Sequence, residues 1–420
     1  MTAIAPEPLT APTPSPGGSS EAENQAPPKR RYLFKVMCAT VVLLAALGFG
    51  LAWWTHALRA EGEGMLREAE ARAAALRVRE VPPGQNASAI YEQAFAMVPQ
   101  PVSVKLQRLK SRLKGFETEA GSQEVTAVLE KHRRLLELLN QAHIKPEYVY
   151  PTDYSQRFSA CVPSLLSAVG CWSLLHIAAS REVHEGAVGR AMRRPSQMLH
   201  MARGIAGTRW LLCHMIGTSG EDYAWSTIRD ILNTSPDDER ALEYILDVLN
   251  HHERTRPRVK EALKVERTFQ QLCAAEILAG KRPARDGLSS KPGLPSPSAL
   301  RLRLSYLTGR LHREWRRTDS AWNTCMARLE DPYPQALTPR EEMKSLQQEA
   351  WDMHLQFAAA LPSNFQCANS EATNLAMVRS ARLAAGCCLF RRTRGRLPAT
   401  LQELVDALPK HFASVPADPF

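Results

Sequence analysis

The chain has 420 residues, 44% of them hydrophobic, and a formal net charge of +10. That hydrophobic content excludes a chain that is disordered throughout, and the length suffices for one large or two ordinary domains. The basic surplus fits an arginine-rich solvated surface or attraction to an anionic one. No basic strand interleaved with aromatics accompanies it, so nucleic acid is not an expected partner.

Residues 1–28 (MTAIAPEPLTAPTPSPGGSSEAENQAPP) are dominated by Pro, Ser, Gly, Ala and Thr. Such a stretch has too little apolar surface to order a backbone, and a disordered cytoplasmic tail is expected over 1–32. Lys29, Arg30, Arg31 and Lys35 then precede Val36–Trp54, nineteen residues without a charge. As a helix these would rise roughly 28 Å, close to the thickness of a hydrocarbon core. Trp53 and Trp54 stand where interfacial aromatics belong. The expected element is a transmembrane helix over 33–56, in contact with the lipid bilayer.

A cleaved signal peptide would have a short leader and a small-residue exit, not a long tail and Trp-Trp. A lipoprotein would carry its cysteine after the apolar run, and Cys38 is near its start. The pilin pattern, a cleavage glycine and then a glutamate at the fifth apolar position, is not met by KRRYLFKVMCATVV. An uncleaved anchor remains. Its positive cluster lies on the N-terminal side, which predicts the inner (cytoplasmic) membrane, a cytoplasmic N-terminus and a periplasmic C-terminal domain.

Residues 57–80 are rich in Ala, Glu, Leu and Arg, with Glu63–Arg67 and Glu68–Arg72 at i,i+4 spacing. A charged helical stalk is expected there, broken by VPPGQ at 81–85. A first helical part should occupy 81–280, a linker or surface loop 281–297 (KRPARDGLSSKPGLPSP), and a second helical part 298–420. Within 122–143, Val125, Val128, Leu129, Leu135, Leu136 and Leu139 recur at helical spacing. Ser235-Pro236-Asp237-Asp238 reads as an N-cap serine, a proline at the first helical position and acids in the first turn, opening a stripe of Leu242, Ile245, Leu246 and Leu249. Thr338-Pro339-Arg340-Glu341 reads as a capping box ahead of Leu346, Trp351, Leu355 and Phe357. Further helical stretches fall at about 161–182, 186–206, 208–232, 256–279, 298–330 and 371–393, and no segment alternates like a strand. The expected fold class is all-α: a single N-terminal transmembrane helix, then a multi-helix ectodomain of packed antiparallel helical hairpins.

Chemistry is hard to find. His251-His252-Glu253 and His184-Glu185 lack the second histidine of HExxH and read as surface helix ends. Gly217-Thr218-Ser219-Gly220 misses GxSxG because position 221 is Glu. Cys213 and His214 are helix neighbours that point apart. Beyond Cys38 there are eight cysteines without a CxxC, read as buried apolar residues or as one or two disulfides. No catalytic residue, metal ligand or cofactor is expected. The densest basic run, Arg391, Arg392, Arg394 and Arg396 around Gly395, either complements a helix C-terminus with Gly395 as the left-handed cap or contacts an anionic partner.

The stretch 381–420 resembles the C-terminal pattern of a group of membrane-anchored proteins common in planctomycetes and similar bacteria. The matching residues are Gly395, Arg396, Pro398, Leu401, Leu404, Pro416, Asp418, Pro419 and Phe420, with Leu397 where an aromatic is usual. NASAIYEQAF at 86–95 and the helices around 165–232 also look similar to that group. The tail is similar, over a shorter stretch, to the segment after the long helix of type II secretion pseudopilins. The resemblance implies a fold and an envelope location, and no reaction. The expected role is scaffolding or protein–protein interaction with a protein partner. An accessory part of a secretion or pilus-like apparatus, or a hydrolase with an unrecognised site, are the alternatives.

Overall fold

A computed structural model describes residues 29–112, 119–235, 237–281, 304–328 and 361–417, excepting the side chains of 29–31, 112, 119–121, 157–159, 325 and 361–368. The expected tail over 1–28, the loop at 282–297, the capping box at 338–341 with its helix, and Asp418-Pro419-Phe420 lie outside the described residues. The chain divides into two units, Met1–Ala57 and Leu58–Phe420.

In the first unit, helix α1 (Lys29–Ala74) begins at the basic cluster and carries the apolar run. It is the one helix, among the described residues, that is long and apolar enough to cross a membrane, and none of its apolar window is buried. Thr40 and Thr55 satisfy their hydroxyls on carbonyls one turn back, at Val36 and Ala52, so neither leaves a bare polar group on that face.

Among its described residues the second unit has helices and connecting loops but no strand, apart from one isolated parallel bridge, Asn86 to Glu147. Its helices are α2 (Ser88–Ala96), α3 (Gln100–Arg112), α4 (Glu119–Lys131), α5 (Arg133–Ile144), α6 (Leu165–His184), α7 (Val188–Ala191) and α8 (Arg193–Ala206). There follow α9 (Leu211–Thr234), α10 (Glu239–Thr255), α11 (Val259–Leu278), α12 (Arg310–Arg328), α13 (Leu361–Arg394) and α14 (Leu401–Ala407). The hairpin of α8 and α9 is the centre, and α6 lies against both. Trp172, Leu174 and Ile177 of α6, Met198, Met201 and Ile205 of α8 and Ile228 of α9 belong to one core cluster, all with essentially no exposure. Each such side chain contributes about 1.5–3 kcal/mol of burial, which is why an apolar stripe decides where a helix lies.

Several boundaries differ from the sequence expectation for physical reasons. The predicted stalk is part of the domain: Leu58, Leu66 and Ala69 are buried. A Cβ on Gly62 would come within 2.5 Å of the Leu278 backbone. Residues 75–80 are no longer helix. The stretch read as 122–143 is two helices, broken at His132 (φ −105°), because Val125 and Leu135, Leu138 and Leu139 must reach the core along different directions. Ser235 ends α9 instead of opening α10, and Asp238 is the cap, accepting from the Ala241 amide at 3.0 Å. The predicted stripe itself holds: Leu242, Ile245, Leu246 and Leu249 are all buried.

At the C-terminus α13 ends in Arg391, Arg392 and Arg394, and Gly395 takes φ 74°, the left-handed cap. Thr400 caps α14 through the Glu403 amide, while the Glu403 carboxylate accepts from the Ala399 amide. Pro398 therefore precedes the cap and is not in the first turn. Leu404 is fully buried and Leu401 is 43% exposed, so one leucine, not both, docks this helix.

Candidate functional site

A cleft of about 550 Å³ opens on the second unit. Its walls come from Arg77–Arg79, from Pro146–Tyr150, from the turn between α8 and α9, and from the junction of α10 and α11. Five arginines line it, Arg77, Arg79, Arg203, Arg209 and Arg258, against two carboxylates, Glu147 and Glu261. Arg79 is paired with Glu147, Arg258 lies 3.7 Å from Glu371, and Glu261 is 2.6 Å from Lys264. Arg203 donates to the Thr255 hydroxyl at 3.0 Å. Among the described residues, Arg77, Arg203 and Arg209 have no carboxylate within ion-pair distance.

The turn between α8 and α9 places Arg209. Tyr154 donates to the Thr208 carbonyl at 2.6 Å, and Trp210 stacks on Phe269 with centroids 5.1 Å apart. With both neighbours buried, Arg209 is the residue left to absorb the reversal, and it takes φ 59°. It is the one non-glycine residue with positive φ among those described, a conformation that favours glycine and costs a side chain of this size about a kilocalorie per mole.

Aromatics form the floor behind the charge. Tyr148 packs on Tyr91 with centroids 4.5 Å apart and approaches Gly204 so closely that a Cβ there would meet its ring at 2.0 Å. Tyr91 shares a 2.9 Å hydrogen bond with His200 Nδ1, and Ser196 one of 3.2 Å with His143 Nε2. Burial, with Arg203 next in weight, pulls His200 down to about 3 and His143 down to about 4, so both imidazoles are neutral. The Tyr148 hydroxyl is buried, has no hydrogen-bond partner, and is held protonated by burial.

A second polar centre is closed. Glu221 of α9 bonds His252 Nε2 at 2.9 Å through Oε1, and takes Arg256 Nη2 at 3.1 Å and Asn374 Nδ2 at 3.2 Å through Oε2. Arg256 also donates to the Glu371 carbonyl at 3.3 Å, and the Glu371 carboxylate accepts from the Val259 amide at 2.8 Å. Burial pushes the Glu221 carboxyl up, but Arg256 and the His252 hydrogen bond more than offset it and hold it at about 2. His214 lies close by with neither ring nitrogen partnered, pulled down to about 4 by burial and by Arg256. This hub ties α9, α10 and α13 together.

The sequence-predicted residues fall elsewhere or play other parts. Arg391, Arg392, Arg394 and Arg396 sit at the end of α13, outside the cleft. Arg391 is 3.2 Å from Asp237, and Arg396 pairs with Glu403. His252 is not a surface helix end: it is 1% exposed and belongs to the hub, because one turn of α10 turns it inward while His251 remains at the cleft. Gly217–Gly220 is a turn of helix α9. Cys171 and Cys213 are buried free thiols, and Cys273 is buried as well. Among the described residues, no group of three or more His, Cys, Asp or Glu stands ready to hold a metal ion. The cleft arginines were missed because they are scattered from 77 to 258, and no local pattern marks them. No family model, curated relative or solved structure matches the chain.

Proposed function

We propose that this chain is a single-pass protein of the cytoplasmic membrane that carries a helical binding domain on the outer side, where it scaffolds other proteins. The observation that carries the reading is how the domain divides its polar groups. Three of its buried ionisable residues, Glu221, His252 and Arg256, are paired with one another and closed off. Five guanidinium groups line the cleft, and such groups recognise and orient better than they attack or abstract. The basic cluster Lys29–Lys35 ahead of the apolar run supports the orientation.

The test is a pair of reporter fusions made after residue 90, one active only in the periplasm and one only in the cytoplasm. The periplasmic reporter should be active and the chain should resist alkaline extraction from membranes. A silent periplasmic reporter beside an active cytoplasmic one overturns the orientation.

A further inference from the structure

We infer that the arginine-lined cleft is a binding site for a small organic anion, one that carries two or more negative charges as carboxylate or phosphate on a body with an apolar face. The inference deepens the reading of the domain as a binding module and rests on it. Guanidinium groups pair bidentately with the oxygens of carboxylates and phosphates, and they come here from three of the four wall segments. Arg77 and Arg209 line it, are exposed and have no carboxylate within ion-pair distance among the described residues. The volume of about 550 Å³ lies in the range of small-molecule sites and suits one such ligand.

Two further observations concern the lining. Tyr148 belongs to it and is more than nine-tenths buried, and its hydroxyl lacks a hydrogen-bond partner among the described residues, a state that costs free energy unless something accepts from it. Val78, Val149, Ala206 and Ala262 share the lining and supply the apolar face.

The wall also argues for a small ligand over a polypeptide. An extended peptide would need free backbone groups along 146–150 to pair with. On the side that faces Asn86 those groups are taken: the Glu147 amide donates to the Gln85 carbonyl, its carbonyl accepts from the Ala87 amide, and both the amide and the carbonyl of Val149 are bonded to the Asn86 side chain. The charged donors of the cleft are side-chain guanidinium groups. Arg209 ties the site to a measurable compromise, since its φ of 59° favours glycine while its guanidinium favours the ligand.

The experiment uses the full-length protein in nanodiscs of uncharged phosphatidylcholine, titrated calorimetrically with citrate and with phenyl phosphate at fixed ionic strength. At least one probe should bind, and citrate against phenyl phosphate separates a carboxylate ligand from a phosphate one. Arg77→Gln combined with Arg209→Gly should weaken binding by about tenfold or more while the melting temperature holds or rises, because glycine relieves the left-handed backbone. Tyr148→Phe, which keeps the ring and removes the hydroxyl, should also lower affinity. Arg392→Gln with Arg394→Gln should leave binding unchanged. The inference is overturned if neither probe binds, if the Arg77/Arg209 variant binds as tightly as the wild type, or if binding is lost with Arg392 and Arg394 instead. Binding of tetraglutamate with neither small anion bound overturns it in favour of a polypeptide. Any of these results beside an active periplasmic reporter removes the ligand and leaves the anchored binding domain standing.

Discussion

The domain holds its charges in two opposite states. At the hub, Glu221 is bonded to Arg256, His252 and Asn374 out of water, although Arg256 Nε and His252 Nδ1 have no partner among the described residues. At the cleft, five arginines meet two glutamates in the open. The hub holds charge that the fold consumes, since three helices depend on it and nothing outside can use it. The cleft holds charge that the fold leaves unspent. Burial and pairing therefore sort the structural groups from those available to a ligand, although both kinds are the same residue types.

Removing one hub partner should break this contrast most severely. Glu221→Ala leaves Arg256 buried without its counter-ion, and the domain should lose about 3–5 kcal/mol in denaturant unfolding. An unchanged midpoint would mean that the hub is as dispensable as the cleft. Leu404→Asp puts a charge where a fully buried leucine holds α14 against Phe412 and Gly386, and should cost roughly 3 kcal/mol.

Acid gives the next effect, and its sign follows from the depressed pKa values. His143, His176 and His214 fall to about 4 in the folded state, below their ordinary 6.5, chiefly through burial. The unfolded chain therefore takes up protons that the folded one refuses, and stability should fall as pH drops from about 6.5 toward 4. Glu221, held at about 2 against an ordinary 4.5, adds a loss that begins below about 4.5. Melting curves taken between pH 8 and pH 3 read both, and a melting temperature that rises on acidification would contradict the burial of these groups.

Asp238→Ala removes the α10 cap and should cost about 1 kcal/mol. Arg391→Ala with Arg392→Ala should change stability by no more than about 0.5 kcal/mol, because Arg391 has only an exposed pair with Asp237. A larger loss would place those arginines among the structural charges.

Much of the fold was legible from periodicity, and the departures have local causes. The α10 stripe and the Gly395 cap could be read because each is a short-range pattern dictated by one helix. The cap of α10 was misplaced because Ser235 and Asp238 are both good capping residues, and the longer reach of α9 decided between them. The stalk was misjudged because Leu58, Leu66 and Ala69 are too widely spaced among charges to announce a buried face. The cleft was not legible at all. In sequence the densest basic run is Arg391–Arg396, whereas Arg77, Arg203, Arg209 and Arg258 are far apart in the chain and line one cleft only through the packing of α8, α10 and α11.

The hub also sets an order of assembly. Glu221, His252 and Arg256 leave the ribosome within one stretch of chain, but Glu371 and Asn374 come 115 and 153 residues after the groups they meet. Until α13 is synthesised, Arg256 lacks its second acceptor and Glu221 its amide donor, so the nascent domain carries a half-satisfied polar centre. A chain halted before residue 371 would keep that centre open to water and to proteases. The hub thus makes completion of α13 the event that closes the domain.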